Sequence, residues 1–186
     1  LAGQAEGAPG KTLALVAAGE QATAPLSLAQ RRLWVAEQFG SGSGAYGMPL
    51  ALRLRGALNI ESLRASLAAV IQRHEILRTA YLADDEGDPI ALVSAQIAVD
   101  MPLLDISHLS PVEQQTRVAL AVADNTRLPI SLEQAPLLRA QVLRVSATEH
   151  VLLYSMHHII SDGWSMAVLV NELVHNYSAL EQGALS

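Results

Sequence analysis

The sequence predicts an α/β or α+β fold in which a mixed sheet is flanked by helices. Apolar runs of strand length alternate along the chain with segments whose apolar residues recur at helical spacing. This interleaving of strands and long helices is typical of helices packed on a sheet. The chain has 186 residues, of which 51% are hydrophobic, enough for one domain or for one lobe of a larger domain.

Composition narrows the functional classes. The net charge of -6 and the lack of any basic run argue against a nucleic-acid partner. The chain has no cysteine, which excludes disulfides and thiolate chemistry and fits a cytoplasmic location. It has no apolar stretch long enough for a membrane span, no signal-peptide pattern and no initiating methionine. We therefore expect an excised piece of a longer cytoplasmic protein that has no membrane partner.

The N-terminal stretch differs in composition from the rest. Residues 1–25 are rich in Ala, Gly and Gln, which predicts an interdomain linker. Within it, only residues 13–16 are apolar enough to suggest a segment that packs against the folded unit. The folded unit is therefore predicted over residues 26–186.

The first predicted helix begins after Ser27. Ser27 is a good N-cap, and Gln30 at the third helical position completes a capping box. The Gly/Ser-rich residues 40–44 end the helix. Trp34 is predicted to lie in the core, and Arg31 and Arg32 in solvent. The residues assigned to the apolar face are Leu28, Leu33 and Phe39.

Residues 50–58 predict a half-exposed strand, because apolar and polar side chains roughly alternate along them. Asn59 then caps a long helix predicted over residues 60–81. A turn over 84–89 leads to a predicted strand over 90–97. The residues predicted to face inward from the long helix are Leu63, Leu67, Val70, Ile71 and Leu77.

Residues 103–106 are too short to assign to either element type. The next predicted helix starts at Ser110, with proline at its first position and glutamate at its third, and runs to about residue 127. Two strands follow over 137–145 and 150–156. The residues between them form a turn, and His150 is interpreted as a turn residue and not as a ligand.

Residues 156–165 are the stretch with the most chemistry. They follow the apolar strand and precede a helix predicted over 166–180. The residues at helical spacing in that helix are Val168, Leu169, Leu173 and Tyr177. His157, His158 and Asp162 therefore lie on a strand-to-helix connection, where rigid elements hold exposed polar side chains in place.

These residue types permit proton transfer and charge stabilisation. A histidine with a pKa of about 6.5 can take or give a proton at neutral pH. Asp162 can orient a ring, neutralise a cation or tie the loop to an arginine. Gly163 lets the backbone turn and uncovers N–H groups that can face an oxyanion. A plain polar strand end and a zinc site are alternatives, but the chain lacks cysteine and a third ligand at a telling spacing.

Three segments resemble motifs of nonribosomal peptide synthetase condensation domains. Residues 156–165, MHHIISDGWS, match the family's His-His-x-x-x-Asp-Gly motif. Residues 27–34, SLAQRRLW, resemble its first motif, although Ala36 replaces the usual leucine that follows. Residues 73–81, RHEILRTAY, resemble its second motif, with tyrosine for the final phenylalanine. The His motif alone also fits chloramphenicol acetyltransferase-like enzymes, and the two upstream motifs favour condensation domains.

The resemblance implies the N-terminal lobe of a chloramphenicol acetyltransferase-like fold of two lobes, with the C-terminal lobe absent from this chain. It also implies amide formation between a donor aminoacyl or peptidyl thioester and the amine of an acceptor aminoacyl thioester. Both substrates would be bound as thioesters to the phosphopantetheine of carrier domains. An adenylation domain would be adjacent in the parent protein. No cofactor or metal would bind the lobe directly. The motif variants resemble the subtype that joins two L-residues.

The resemblance also assigns roles to individual residues. His158 is expected to act on the acceptor amine, as a general base or by positioning it. His157 is expected to be structural, and Asp162 to fix the loop through a salt bridge with an arginine in this lobe or in the missing one. Arg73 and Arg78 are the candidates for that arginine within this chain. The remaining motif residues expected to support the site are Gly163, Trp164 and Ser165.

Two other functions remain open at this point. The first is an acyltransferase that uses a free coenzyme A thioester on the same fold. The second is a lobe without activity that serves as a docking surface for carrier domains. For the 186 residues alone we expect no activity, because the second half of the site is missing.

Overall fold

The structure is a computed structural model that describes residues 23–40 and 44–183. The predicted docked segment at 13–16 lies outside these residues. Residues 23–25, assigned to the linker by composition, instead form a strand that pairs with residues 90–92. Composition misses this strand because its stabilising partners lie far along the chain.

Four α-helices and seven strands follow one another in the described residues, with one short 3₁₀ helix between them. In chain order they are β1 (Thr23–Pro25), α1 (Leu28–Gly40), β2 (Gly47–Arg55), α2 (Ile60–Arg73), the 3₁₀ helix (Glu75–Arg78), β3 (Thr79–Ala83), β4 (Pro89–Val93), β5 (Leu103–Asp105), α3 (Pro111–Arg127), β6 (Leu138–Ser146), β7 (Glu149–His157) and α4 (Gly163–Glu181). The predicted interleaving of helices and strands is confirmed.

The strands form two sheets. The larger has the order β2-β7-β6-β5 and is mixed, because only β5 and β6 are parallel. The smaller has the order β1-β4-β3 and is antiparallel. The mixed sheet flanked by helices that the sequence predicts is therefore present.

Strand β7 is the centre of the larger sheet and is buried from His150 to its end. Its even-numbered residues Leu152, Tyr154 and Met156 belong to the core shared with α2 and α4. Its odd-numbered residues Val151 and Leu153 belong to a second core beside α3. Each buried leucine stabilises the fold by roughly 1.5–3 kcal/mol. The strand that ends in His157 and leads to His158 is thus held on both faces.

His150 is a correction to the sequence interpretation. The β6–β7 turn consists of only Ala147 and Thr148, so His150 already lies within the strand, opposite Arg144. Its side chain is buried, and burial, followed by the charge of Arg144, lowers its pKa.

Helix α2 is shorter than predicted. It ends at Arg73, His74 is extended, and the 3₁₀ helix leads into β3. The reason is a long-range one: residues 79–83 pair with β4, which the local periodicity does not reveal. All five residues predicted to face inward from this segment are nevertheless buried.

Other element boundaries differ less from the predictions. Strand β2 begins at Gly47, and β4 ends at Val93 instead of residue 97. The ambiguous residues 103–106 contain β5. Helix α3 begins with the predicted capping box, in which Ser110 and Glu113 each bond to the other's backbone N–H.

Helix α1 is capped as predicted but presents a different face to the core. The Ser27 hydroxyl accepts from the Gln30 N–H at 3.2 Å, and the Gln30 side chain accepts from the Ser27 N–H at 2.9 Å. Leu28 and Phe39, assigned to the apolar face, are 81% and 89% exposed. The residues that turn inward are Gln30, Leu33, Trp34 and Glu37, which follow the i, i+3, i+4, i+7 spacing of one helix face.

Candidate active site

The histidine loop, residues 158–162, connects β7 to α4. His157 is the last residue of β7, and its N–H donates to the Leu137 carbonyl at 3.0 Å. The next N–H, that of His158, donates to the Tyr46 carbonyl at 2.8 Å. Neighbouring segments on both sides of β7 therefore fix the start of the loop.

The loop sets the tautomer of His158. Its Nδ1 lies 2.7 Å from the Ser161 carbonyl oxygen. A carbonyl oxygen only accepts, so Nδ1 is the donor and carries a proton. In the neutral ring the lone pair is then on Nε2. Because His158 is exposed, this lone pair is available to a substrate amine.

His157 has the opposite environment. It is 1% exposed, and its Nδ1 accepts from the Ile159 N–H at 3.1 Å. Burial, with a smaller contribution from the neighbouring His158, lowers the pKa of His157 to about 4. The ring is therefore neutral at pH 7, and the 3.7 Å approach of its Nε2 to the Glu37 carboxyl is not an ion pair.

Asp162 does not make the predicted arginine salt bridge among the described residues. Its carboxylate instead caps α4, accepting from the Ser165 N–H at 2.8 Å and from the Ser165 hydroxyl at 2.7 Å. These two hydrogen bonds lower the pKa of Asp162. A carboxylate at a helix N-terminus is also favoured by the helix dipole. The side chain is exposed in the part of the chain that the structure describes.

The candidate arginines bind other groups. Arg78 is largely buried and donates to the carbonyls of Ser94 and Gln72, which ties the 3₁₀ helix to the end of β4. Arg73 is exposed, and its Nε lies 4.0 Å from a Glu172 carboxylate oxygen. Both arginines therefore bind groups outside the histidine loop, and neither contacts Asp162.

We expect Asp162→Ala to lower the melting temperature by about 2–4 °C, because it removes the N-cap of α4. Asp162→Asn is the matched control, since asparagine is an equally good N-cap. Thermal unfolding of the three proteins checks this. A much larger loss in the alanine variant, with no rescue by asparagine, would show that the charge of Asp162 has a buried partner after all.

Gly163 and Trp164, which follow Asp162, are exposed to solvent. Gly163 begins α4, its φ is not in the left-handed region, and a Cβ built on it would have no neighbour within 4 Å. Glycine is therefore not required here for the turn itself. Trp164 is 80% exposed, whereas the Ser165 side chain binds Asp162. The space beside Gly163 is thus open, whereas the Ser165 N–H is bound by the Asp162 carboxylate.

An apolar cavity of about 240 Å³ lies beside the loop, between α2, the 3₁₀ helix and α4. Its edge includes His74, whose Nε2 lies 2.7 Å from the Glu172 carboxylate. A larger cavity of about 470 Å³ contains no residue of the histidine loop in its lining. Residues that line the smaller cavity include Val70, Ile76, Leu77, Ile160, Trp164 and Val168.

Comparison with known proteins defines the family. The family model described as the condensation domain matches residues 20–186. The chain belongs to this family. The match begins before the predicted linker end at residue 25, in agreement with the strand found at Thr23–Pro25.

Similar proteins are multimodular synthetases far longer than this condensation-domain chain. It is 40% identical over 159 residues to a linear gramicidin synthase of Brevibacillus parabrevis, covering 86% of this chain and 2% of the relative. It is 37% identical over 180 residues to a plipastatin synthase of Bacillus subtilis, covering 97% of this chain and 7% of the relative.

A solved structure supports the same fold. The starter condensation domain of rhizomide synthetase superposes with a TM-score of 0.79 at 27% identity, covering 89% of this chain and 40% of that chain. The predicted fold class is thereby confirmed. The condensation-domain chain spans less than half of that domain.

No helix in the described part of the condensation-domain chain has both the length and the hydropathy of a membrane span. Among residues 23–40 and 44–183, no group of three or more metal-ligating side chains comes together.

Glu37 is a residue of the condensation-domain chain that the sequence motifs do not single out. Its side chain is 12% exposed and lies near His157, although Glu37 is three residues beyond the first motif. The signal was available, because Glu37 continues the inward spacing of Gln30, Leu33 and Trp34. A charged residue in such a stripe indicates a buried polar contact.

Proposed function

We propose that the protein containing this chain joins a donor aminoacyl or peptidyl thioester to the amine of an acceptor aminoacyl thioester. Family membership supports a condensation reaction. The observation that carries the proposal is the exposed His158 ring, whose Nδ1 is bound to Ser161 so that the lone pair lies on Nε2. The products are an amide and a free thiol.

The reaction needs one proton transfer and no redox partner. An α-amino group has a pKa of about 8, so part of it is the neutral nucleophile near neutral pH. Its nitrogen forms a bond to the thioester carbonyl carbon, and the carbon–sulfur bond then breaks. His158 Nε2 accepts the amine proton as a general base, or accepts a hydrogen bond that orients the amine. The thiolate that leaves takes up a proton.

The backbone N–H groups near Gly163, at the start of α4, are proposed to face the oxyanion that forms on the carbonyl. They lie at a helix N-terminus, where partial positive charge favours an anion. The open space around Gly163 is compatible with close approach of a substrate. Asp162 keeps this helix start in place through its cap.

The partners we propose are those of a multimodular synthetase. Carrier domains would present both substrates on phosphopantetheine, and an adenylation domain would supply the aminoacyl groups. A second lobe would complete the site, so residues 26–186 alone are expected to be inactive. We also propose that the two joined residues are both L-configured, because the sequence of the histidine motif resembles that of the subtype that joins two L-residues.

The test uses the complete condensation domain within its synthetase, with donor and acceptor carriers loaded separately. Intact mass spectrometry is expected to show the donor group transferred to the acceptor carrier. A parallel reaction replaces the donor carrier with the same acyl group on free coenzyme A. Turnover only with coenzyme A would instead establish a coenzyme A-dependent acyltransferase. Carrier binding without product, for several loaded pairs, would establish a docking lobe.

A further inference from the structure

Glu37 lies in an unusual position for a carboxylate. It is on the inward face of α1, next to Leu33 and Trp34, which pack against the main core. The helix is anchored by Gln30, whose side-chain amide donates to the Tyr81 hydroxyl at 2.9 Å. Burial raises the pKa of the Glu37 carboxyl. A leucine would fill this position at lower cost if packing alone were required.

The neighbour of Glu37 is the buried nitrogen of His157. Because Nδ1 of His157 accepts from the Ile159 N–H, the proton of the neutral ring is on Nε2. Among the described residues this Nε2 has no hydrogen-bond partner, and neither has Oε2 of Glu37. The two side chains face each other with 3.7 Å between Nε2 and Oε1. A shift of less than about 1 Å converts this approach into a hydrogen bond.

The Ile159 amide is the point where His157 acts on the loop. His158 has its N–H on Tyr46 and its ring on Ser161, and Ile159 lies between those two anchors. If Nδ1 of His157 carried the proton, two donors would face each other and this bond would be lost. The tautomer of His157 therefore decides whether this additional contact holds the loop that carries His158.

We propose that Glu37 is a positioning residue, which accepts the Nε2 proton of His157 and thereby selects the tautomer whose Nδ1 holds the Ile159 amide. Glu37 thus affects the position of His158 indirectly, through the His157 ring and the loop backbone. Glu37 can play this part in either protonation state, because a carboxylate and the carbonyl oxygen of a carboxylic acid both accept a hydrogen bond. Its effect on the rate rests on the proposed function, whereas its effect on the tautomer does not.

The experiment compares Glu37→Leu with Glu37→Gln in the complete condensation domain. Glutamine keeps an acceptor oxygen, and leucine removes it at similar size. Gln38→Leu, the same kind of change at the exposed neighbouring position of α1, is the control for effects on the helix. Nitrogen-15 spectra of the histidine rings report the tautomer of His157, and single-turnover product formation between loaded carriers reports the rate.

We expect wild type, Glu37→Gln and Gln38→Leu to keep the Nε2 proton on His157. Glu37→Leu is expected to populate the Nδ1-protonated form and to react about 10- to 100-fold more slowly, because a small misplacement of the loop is costly. Its affinity for loaded carriers should be unchanged.

Two results would overturn the proposal. One is a wild-type His157 whose proton is on Nδ1, which needs no variant to observe. The other is a folded Glu37→Leu protein with the wild-type tautomer and rate. If the wild type forms no product at all, the proposed function fails. The spectra of wild type and Glu37→Gln still test whether Glu37 selects the tautomer of His157.

Discussion

His158→Ala is expected to slow amide formation between carrier-bound thioesters by about 10²- to 10⁴-fold, the usual contribution of a general acid or base. The substitution removes the loop side chain that combines exposure with a fixed lone pair on Nε2. The fold should survive, because the ring does not belong to either core cluster. Single-turnover rates by quenched flow and thermal unfolding of the same preparations check both statements.

Two further variants separate the two possible roles of His158. His158→Asn retains a donor near the position of Nδ1, and His158→Gln places a non-basic oxygen near the position of Nε2. If His158 removes a proton, both variants should be as slow as His158→Ala. If it mainly orients the amine, His158→Gln should recover much of the rate. A rate equal to wild type in His158→Ala, with correct folding, would remove this residue from the mechanism.

Folding stability is expected to decrease by about 3 kcal/mol between pH 6.5 and pH 4 through His157 alone. In the unfolded chain His157 titrates near its ordinary pKa of 6.5, whereas burial lowers the pKa in the folded protein to about 4. Between these values the unfolded state binds the extra proton, so lowering the pH favours unfolding. The loss begins near pH 6.5 and is complete below pH 4.

Denaturant unfolding of wild type and His157→Asn at several pH values tests this expectation. Asparagine stays neutral, and its side-chain oxygen can still accept from the Ile159 N–H. The difference in unfolding free energy between the two proteins should therefore shrink as the pH falls. His150→Asn serves as a comparison, since burial also lowers the pKa of His150 and acts in the same direction. Parallel curves for wild type and His157→Asn would contradict a buried neutral His157.

The sequence predicted best what depends on local chemistry. The capping boxes at the starts of α1 and α3 were assigned correctly, because cap and partner are three residues apart. The alternation in β2 and the spacing in α2 likewise located the buried faces. The family motifs located the loop between β7 and α4.

Two errors share a physical cause, which is pairing between distant segments. The end of α2 was placed too late because the pairing of β3 with β4 is not visible in local periodicity. Strand β1 was assigned to a linker because only its partner β4 makes it a strand. Asp162 is a separate case with a local cause: an arginine was predicted as its partner, and among the described residues its carboxylate instead accepts from Ser165, three residues on.

The inward face of α1 was also misassigned, and this concealed Glu37. The apolar residues Leu28 and Phe39 suggested one face, but both are exposed. The face that packs contains two polar side chains, Gln30 and Glu37, each with a specific neighbour in another motif. Hydrophobicity alone does not identify a helix face that is selected by polar contacts.

The central claim is that the loop presents the lone pair of His158 Nε2 to the substrate. Nitrogen-15 spectroscopy of the complete condensation domain, at a pH that keeps the ring neutral, measures this directly. We predict a proton on Nδ1 of His158 and an unprotonated Nε2. A neutral His158 with its proton on Nε2 would contradict the hydrogen bond to Ser161, and would leave His158 without an acceptor for the amine.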